Sequence, residues 1–139
     1  MNKLFLDTGY VIALEAEDDQ YHREAREHWR NLTQQRPDLV TTTYVLDEIV
    51  TFFNSRGRHA KAVEIGRRLL QSPHIQLVHV DVPLFEEGWS YFQRRPDKRY
   101  SLTDCLSFVV MERERIGEAL SFDGHFKQAG FKRLPSIPS

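Results

Sequence analysis

Cysteine is nearly absent: Cys105 is the only one in the 139 residues. That excludes an intrachain disulfide framework and a cysteine-built zinc cluster, and it points to a reducing compartment, with the cytoplasm the expected location. An excess of one charge is also lacking, since 19 Lys and Arg stand against 20 Asp and Glu. The balance neither favours nor excludes a nucleic-acid partner, so only the clustering of charge carries information. Long apolar runs are missing too. The N-terminal stretch MNKLFLDTGYVIAL is broken by Asp7 and followed by Glu15, Glu17, Asp18 and Asp19, which fits neither a signal peptide nor a membrane span, and no membrane partner is expected. Repeats and low-complexity tracts do not occur. What remains is a single domain over residues 1–139, long enough to bury about two-thirds of its unfolded surface without staples.

What is present alternates. Short apolar runs of strand length at Lys3 to Leu6, Leu39 to Thr42, Ile75 to Val80, Glu118 to Phe122 and Phe131 to Leu134 are separated by segments of helical spacing. Thr8 and Gly9 read as a turn before a short helix from Tyr10 to Glu15. Tyr21 to Gln35 is amphipathic; Tyr44 to Asn54 carries a buried stripe of Val45, Ile49, Phe52 and Phe53 behind an expected cap at Thr43. Arg58 to Gln71 and a helix from Pro83 to about Phe92 follow, with the proline where a first helical turn tolerates it. Thr103 to Arg115 is apolar on nearly every side in its first half and must be buried there, and Gly117 suits its C-terminus. Asp123 to Ala129 reads as a turn or short helix. Such alternation predicts an α/β fold, a three-layer α/β/α sandwich around a mostly parallel sheet of about five short strands. In sheets of that kind ligands bind beyond the carboxyl ends of the strands, where strand order reverses.

Four acids sit near such places. Asp7 ends the first strand, and its bland alternative is a turn or helix cap. Glu48 lies beside the Val45, Ile49 and Phe52 stripe, with Asp47 next to it competing for the inward position. Asp104 stands three residues after Ser101, the spacing of a capping box, and Asp123 precedes Gly124 as a turn aspartate would. None is decisive by itself. A parallel sheet, however, brings strand ends and helix starts to one edge, and carboxylates crowded there raise one another's pKa values unless a cation neutralises them. Oxygen-only ligands favour Mg2+ or Mn2+ over zinc.

Taken together, LFLDTGYVIAL, YVLDEIVTFF, SLTDCLSFVVM and ALSFDGHF, in that order and spacing, resemble the PIN-domain ribonucleases, and within them the small VapC-like toxins of toxin–antitoxin pairs. The resemblance spans essentially the whole chain. It implies a divalent-metal-dependent endoribonuclease with Asp7, Glu48, Asp104 and Asp123 as the catalytic and metal-holding quartet. Thr8 and Ser101 or Thr103 are then polar auxiliaries, and one or two ions are compatible with the set. It also implies an RNA substrate, a cognate antitoxin and a homodimer, with the Tyr10 to Gln35 and Arg58 to Gln71 regions offering apolar surface for self-association.

For RNA contact the exposed basic loop with Arg94, Arg95, Lys98 and Arg99, just ahead of Asp104, is the first candidate. A second basic group comprises Arg56, Arg58, His59, Lys61, Arg67 and Arg68, and His125 is a further candidate for substrate contact. Cys105 is expected in the core. Competing readings are an aspartic protease, suggested by the string LFLDTG; a phosphoryl-transfer domain with Asp7 as nucleophile; and a catalytically inactive PIN-like RNA-binding or assembly module. The first requires an all-β fold with two such aspartates, which the helical content argues against.

Overall fold

The structure, a computed structural model, describes residues 3–136. Five strands form one sheet: β1 (Lys3–Leu6), β2 (Asp38–Thr42), β3 (Ile75–Val78), β4 (Glu118–Leu120) and β5 (Lys132–Leu134). Every pairing is parallel, in the order β3-β2-β1-β4-β5. The intervening helices are α1 (Thr8–Glu15), α2 (His22–Thr33), α3 (Thr43–Ser55), α4 (His59–Gln71), α5 (Val82–Gln93), α6 (Leu102–Glu114) and α7 (His125–Gln128). An aspartic-protease architecture is thereby excluded.

The central strand is β1. From it the chain steps outward to β2 and β3, then returns to the opposite side of β1 for β4 and β5. The reversal between β1 and β4 is the switch point at which a crevice opens beyond the strand ends. Helices α1, α3 and α5 begin within a few residues of the ends of β1, β2 and β3, so those helix starts and strand ends share that edge.

The core forms where apolar side chains from both sheet faces meet the helices. Phe5, Val40 and Leu120 are fully enclosed, as are Ile49 and Phe53 of α3 and Leu106, Phe108 and Met111 of α6. From Thr103 to Met111 every residue of α6 is buried, Cys105 among them. Burial pushes the Cys105 thiol up to about 11, which keeps it protonated and inert.

Several local expectations shift. Thr8 and Gly9 are helical rather than a turn, and Thr42 rather than Thr43 caps α3, accepting from the Val45 N–H at 3.2 Å. Thr43 Oγ1 instead accepts from the Val80 N–H at 3.1 Å. The third strand stops at Val78 because residues beyond it turn toward α5, whose cap is Asp81, accepting from the Leu84 N–H at 3.0 Å. The central helix ends at Arg115, which adopts the left-handed region at φ 56°, and not at Gly117. The return of the Ile116 N–H to Met111 O at 2.8 Å, with Ile116 buried, outweighs the cost of that conformation.

Candidate active site

Asp7 occupies the N-cap position of α1, yet its side chain makes no capping hydrogen bond. Its carboxylate turns sideways to the neighbouring strand, where Ser121 Oγ donates to Asp7 Oδ2 at 2.8 Å. Sheet register dictates this contact. Leu6 lies beside Leu120 and the Asp7 N–H donates to Leu120 O at 3.1 Å, so the next residue of each strand meets the other.

Ser121 links two acids. Its Oγ also accepts from the Asp123 N–H at 3.0 Å, fixing the chain path by which Asp123 leaves β4. The sequence offered one signal for Ser121, a hydroxyl inside the apolar run ALSF one residue short of a strand end, and it was not among the candidates. Asp104 arrives from the start of α6. Ser101 and Asp104 form a full capping box: Asp104 N–H to Ser101 Oγ at 3.0 Å and Ser101 N–H to Asp104 Oδ2 at 3.1 Å. The cap and the site use the same residue, since the box holds the carboxylate at the sheet edge.

Glu48 joins from the second turn of α3. Thr8 Oγ1 donates to Glu48 Oε1 at 2.7 Å, tying it to the residue that follows Asp7. Asp47 is exposed and faces Thr51, so Glu48 is the inward member of the pair. Thr103 is buried, but its carbonyl rather than its hydroxyl is engaged, accepting from Ser107 Oγ at 2.8 Å.

Electrostatics follow from this crowding. Asp7 is pushed up from 3.8 to about 7, chiefly because burial disfavours its anion, with the charges of Asp104 and Asp123 adding to the rise and the Ser121 hydrogen bond opposing it. Burial raises Asp104 as well, with Asp123 contributing, while the Ser101 N–H and His125 pull the other way. Two carboxylates whose anions burial disfavours, beside a third carboxylate, form a set that a divalent cation would stabilise. Ligand atoms of Asp104, Asp123 and His125 lie within 4.8 Å of one another, the span of one coordination shell. The donor set is oxygen-rich and suits Mg2+ or Mn2+.

The basic candidates divide. Arg94, Lys98 and Arg99 are exposed on the loop before α6, whereas Arg95 folds back over the Tyr91 ring at 3.4 Å and donates to Tyr91 O. Tyr100 ends that loop and sets its ring edge against His125, 5.4 Å between centroids. In the second group Lys61 and Arg68 each pair with Glu15 at 3.1 Å, and Arg56 lies on the Phe52 ring, so these three are already engaged. A cavity of about 450 Å³, largely apolar, lies among α1, α2 and α4, where Leu14, Trp29 and Leu69 are part of its wall. None of the four acids lines it.

The β1/β4 switch point thus gathers Asp7 and Asp123 from two strand ends and Asp104 from a helix start, with Glu48 tied to the same edge through Thr8. The family model for the PIN domain matches residues 4–132, and the chain belongs to that family. It is 34% identical over 128 residues to the 23S rRNA-specific endonuclease VapC20 of Mycobacterium tuberculosis, in strains CDC 1551 / Oshkosh and ATCC 25618 / H37Rv alike, covering 92% of this chain and 95% of the relative. The crystal structure of Mycobacterium tuberculosis VapC20, a Sarcin-Ricin loop cleaving toxin, matches with a TM-score of 0.83 at 33% identity, over 92% of this chain and 95% of that one. The likeness places the chain in the VapC branch of the family.

Proposed function

We propose that this protein is an endoribonuclease that hydrolyses RNA phosphodiester bonds with Mg2+ or Mn2+, and that it is the toxin of a toxin–antitoxin pair. The observation that carries the reading is the meeting of Asp7, Asp104 and Asp123 at one partly dry sheet edge, with two of the three held above the ordinary carboxylate range. Asp7, Asp104 and Asp123 hold the ion, directly or through water, and Glu48 completes the set. When bound, such an ion lowers the pKa of a water and stabilises charge developing at phosphorus.

The chain's own residues prepare that chemistry. Ser121 and the Ser101 cap hold Asp7 and Asp104 in place, so the carboxylates need no rearrangement when substrate arrives. Glu48, anchored by Thr8, orients the attacking water. Arg94, Lys98 and Arg99 steer and hold flanking phosphates, an interaction that weakens with salt. The VapC20 relatives are named for 23S rRNA, so large-subunit ribosomal RNA is the first substrate to test here.

Two protein partners complete the proposal. One is a cognate antitoxin that covers the acidic edge. The other is a second copy of this chain, through α5: Val82, Phe85, Trp89 and Phe92 share one face of that helix and are all exposed, with Trp89 and Phe92 stacked at 5.6 Å. Exposed large apolar side chains on α4 are limited to Val63 and Leu70 among the described residues, and none is found on α1 or α2. We therefore prefer the α5 face to the Tyr10 to Gln35 and Arg58 to Gln71 regions for self-association.

The deciding experiment incubates purified protein with 23S rRNA and a mixed structured-RNA pool in Mn2+, Mg2+ or chelator, alongside Asp104→Asn. Cutting is expected only with metal, and the variant should lose it by about 100-fold or more while keeping its fold. Equal cutting by the variant, or none by the folded wild type in any condition, overturns the proposal.

A further inference from the structure

His125 touches two of the acids at once. Its main-chain N–H donates to Asp123 Oδ1 at 2.9 Å, and its Nδ1 stands 3.0 Å from Asp104 Oδ2 and 3.4 Å from Asp123 Oδ1. The ring is about a quarter exposed, with the edge of Tyr100 beside it. A histidine in such a place either ligates an ion itself or holds the carboxylates that do.

The carboxylate oxygens discriminate between the two. Each acid spends one oxygen on the protein: Asp104 Oδ2 accepts the Ser101 N–H, Asp123 Oδ1 accepts the His125 N–H, and Glu48 Oε1 accepts the Thr8 hydroxyl. Among the described residues no hydrogen bond reaches Asp104 Oδ1, Asp123 Oδ2 or Glu48 Oε2. Nδ1 lies against the two aspartate oxygens that already accept main-chain N–H groups, Asp104 Oδ2 and Asp123 Oδ1. An oxygen that already accepts an N–H offers only lone pairs, so Nδ1 is the donor of the pair.

We infer that His125 is a positioning residue whose Nδ1–H bridges Asp104 and Asp123 and sets the spacing at which Asp104 Oδ1 and Asp123 Oδ2 face the ion. The inference rests on the metal-dependent reading above. It gives the site a clamp built from the short α7 segment, which adds no ligand of its own but fixes the orientation of two.

The test measures Mn2+ binding alone, without RNA, by calorimetry and pulsed electron paramagnetic resonance on wild type, His125→Asn and His125→Gln, with circular dichroism to establish folding. Asparagine carries an N–H donor where Nδ1 stands, and glutamine carries one only where Nε2 stands. Wild type should bind Mn2+ with no directly coordinated nitrogen; His125→Asn should stay within about threefold of it and His125→Gln should bind about 10–100-fold more weakly. Undiminished binding by His125→Gln, or a coordinated histidine nitrogen in wild type, overturns the inference and leaves the metal reading standing. Absence of Mn2+ binding by wild type removes both.

Discussion

Asp7 is an acid placed where its charge is costly. Its folded-state value of about 7 lies above the ordinary 3.8, so between those limits the folded state binds more protons than the unfolded chain. Stability therefore falls as pH rises from about 4 to about 7, by at most about 4 kcal/mol from this group. Thermal melts in chelator should show a Tm declining over that window, a decline that flattens in Asp7→Asn and that Mn2+ reverses most strongly at its upper end. A wild-type Tm that climbs through the same window as steeply as that of the variant would contradict the assignment. At this scale the sequence marked Asp7, Asp104 and Asp123 by position but left Asp47 against Glu48 open. Its one signal for Ser121, a hydroxyl in an apolar run, could not pair that residue with Asp7, because the two lie 114 residues apart and are matched by strand register.

Among elements, α6 bears the greatest demand: it is buried along its first half and carries Asp104 at its start. Its seat against α5 depends on Gly88. A Cβ there would approach Leu106 Cγ to 2.9 Å, and Leu106 is fully enclosed with no room to retreat. Gly88→Ala should destabilise by about 1–3 kcal/mol through overpacking, a Tm loss of roughly 3–10 °C. Because the strain falls on the helix that presents Asp104, Mn2+ affinity should drop as well; an unchanged Tm would show that the helices separate at no cost. The identity and approximate bounds of the helices were readable from their spacing. Their ends were less so: the cap of α3 at Thr42 and the left-handed Arg115 follow from tertiary partners, Val80 for Thr43 and buried Ile116 for the exit of α6.

For the whole molecule, the strand order β3-β2-β1-β4-β5 is what gathers the acids, since it makes β1 and β4 neighbours although helices and two other strands intervene in the chain. The same arrangement leaves α5 with its apolar stripe outward, and Val82 is 69% and Trp89 46% exposed. Sedimentation velocity should therefore find a dimer at micromolar concentration that Trp89→Glu converts to monomer, with far-UV circular dichroism unchanged. A monomeric wild type, or a variant that still dimerises, would remove the α5 face from consideration. No helix among the described residues is long and apolar enough to cross a membrane.

The sequence by itself determined the α/β class, the alternation that makes the sheet parallel, the burial of α6 and the acids at element ends. These are local properties, written in periodicity, in caps and in the residue that follows each strand. Only the tertiary structure decided which strands adjoin, that Asp7 bonds Ser121 instead of capping its helix, that Glu48 rather than Asp47 faces Thr8, and that His125 spans Asp104 and Asp123. Those contacts join residues far apart in the chain, and their geometry is set by register and helix docking, which no local pattern encodes.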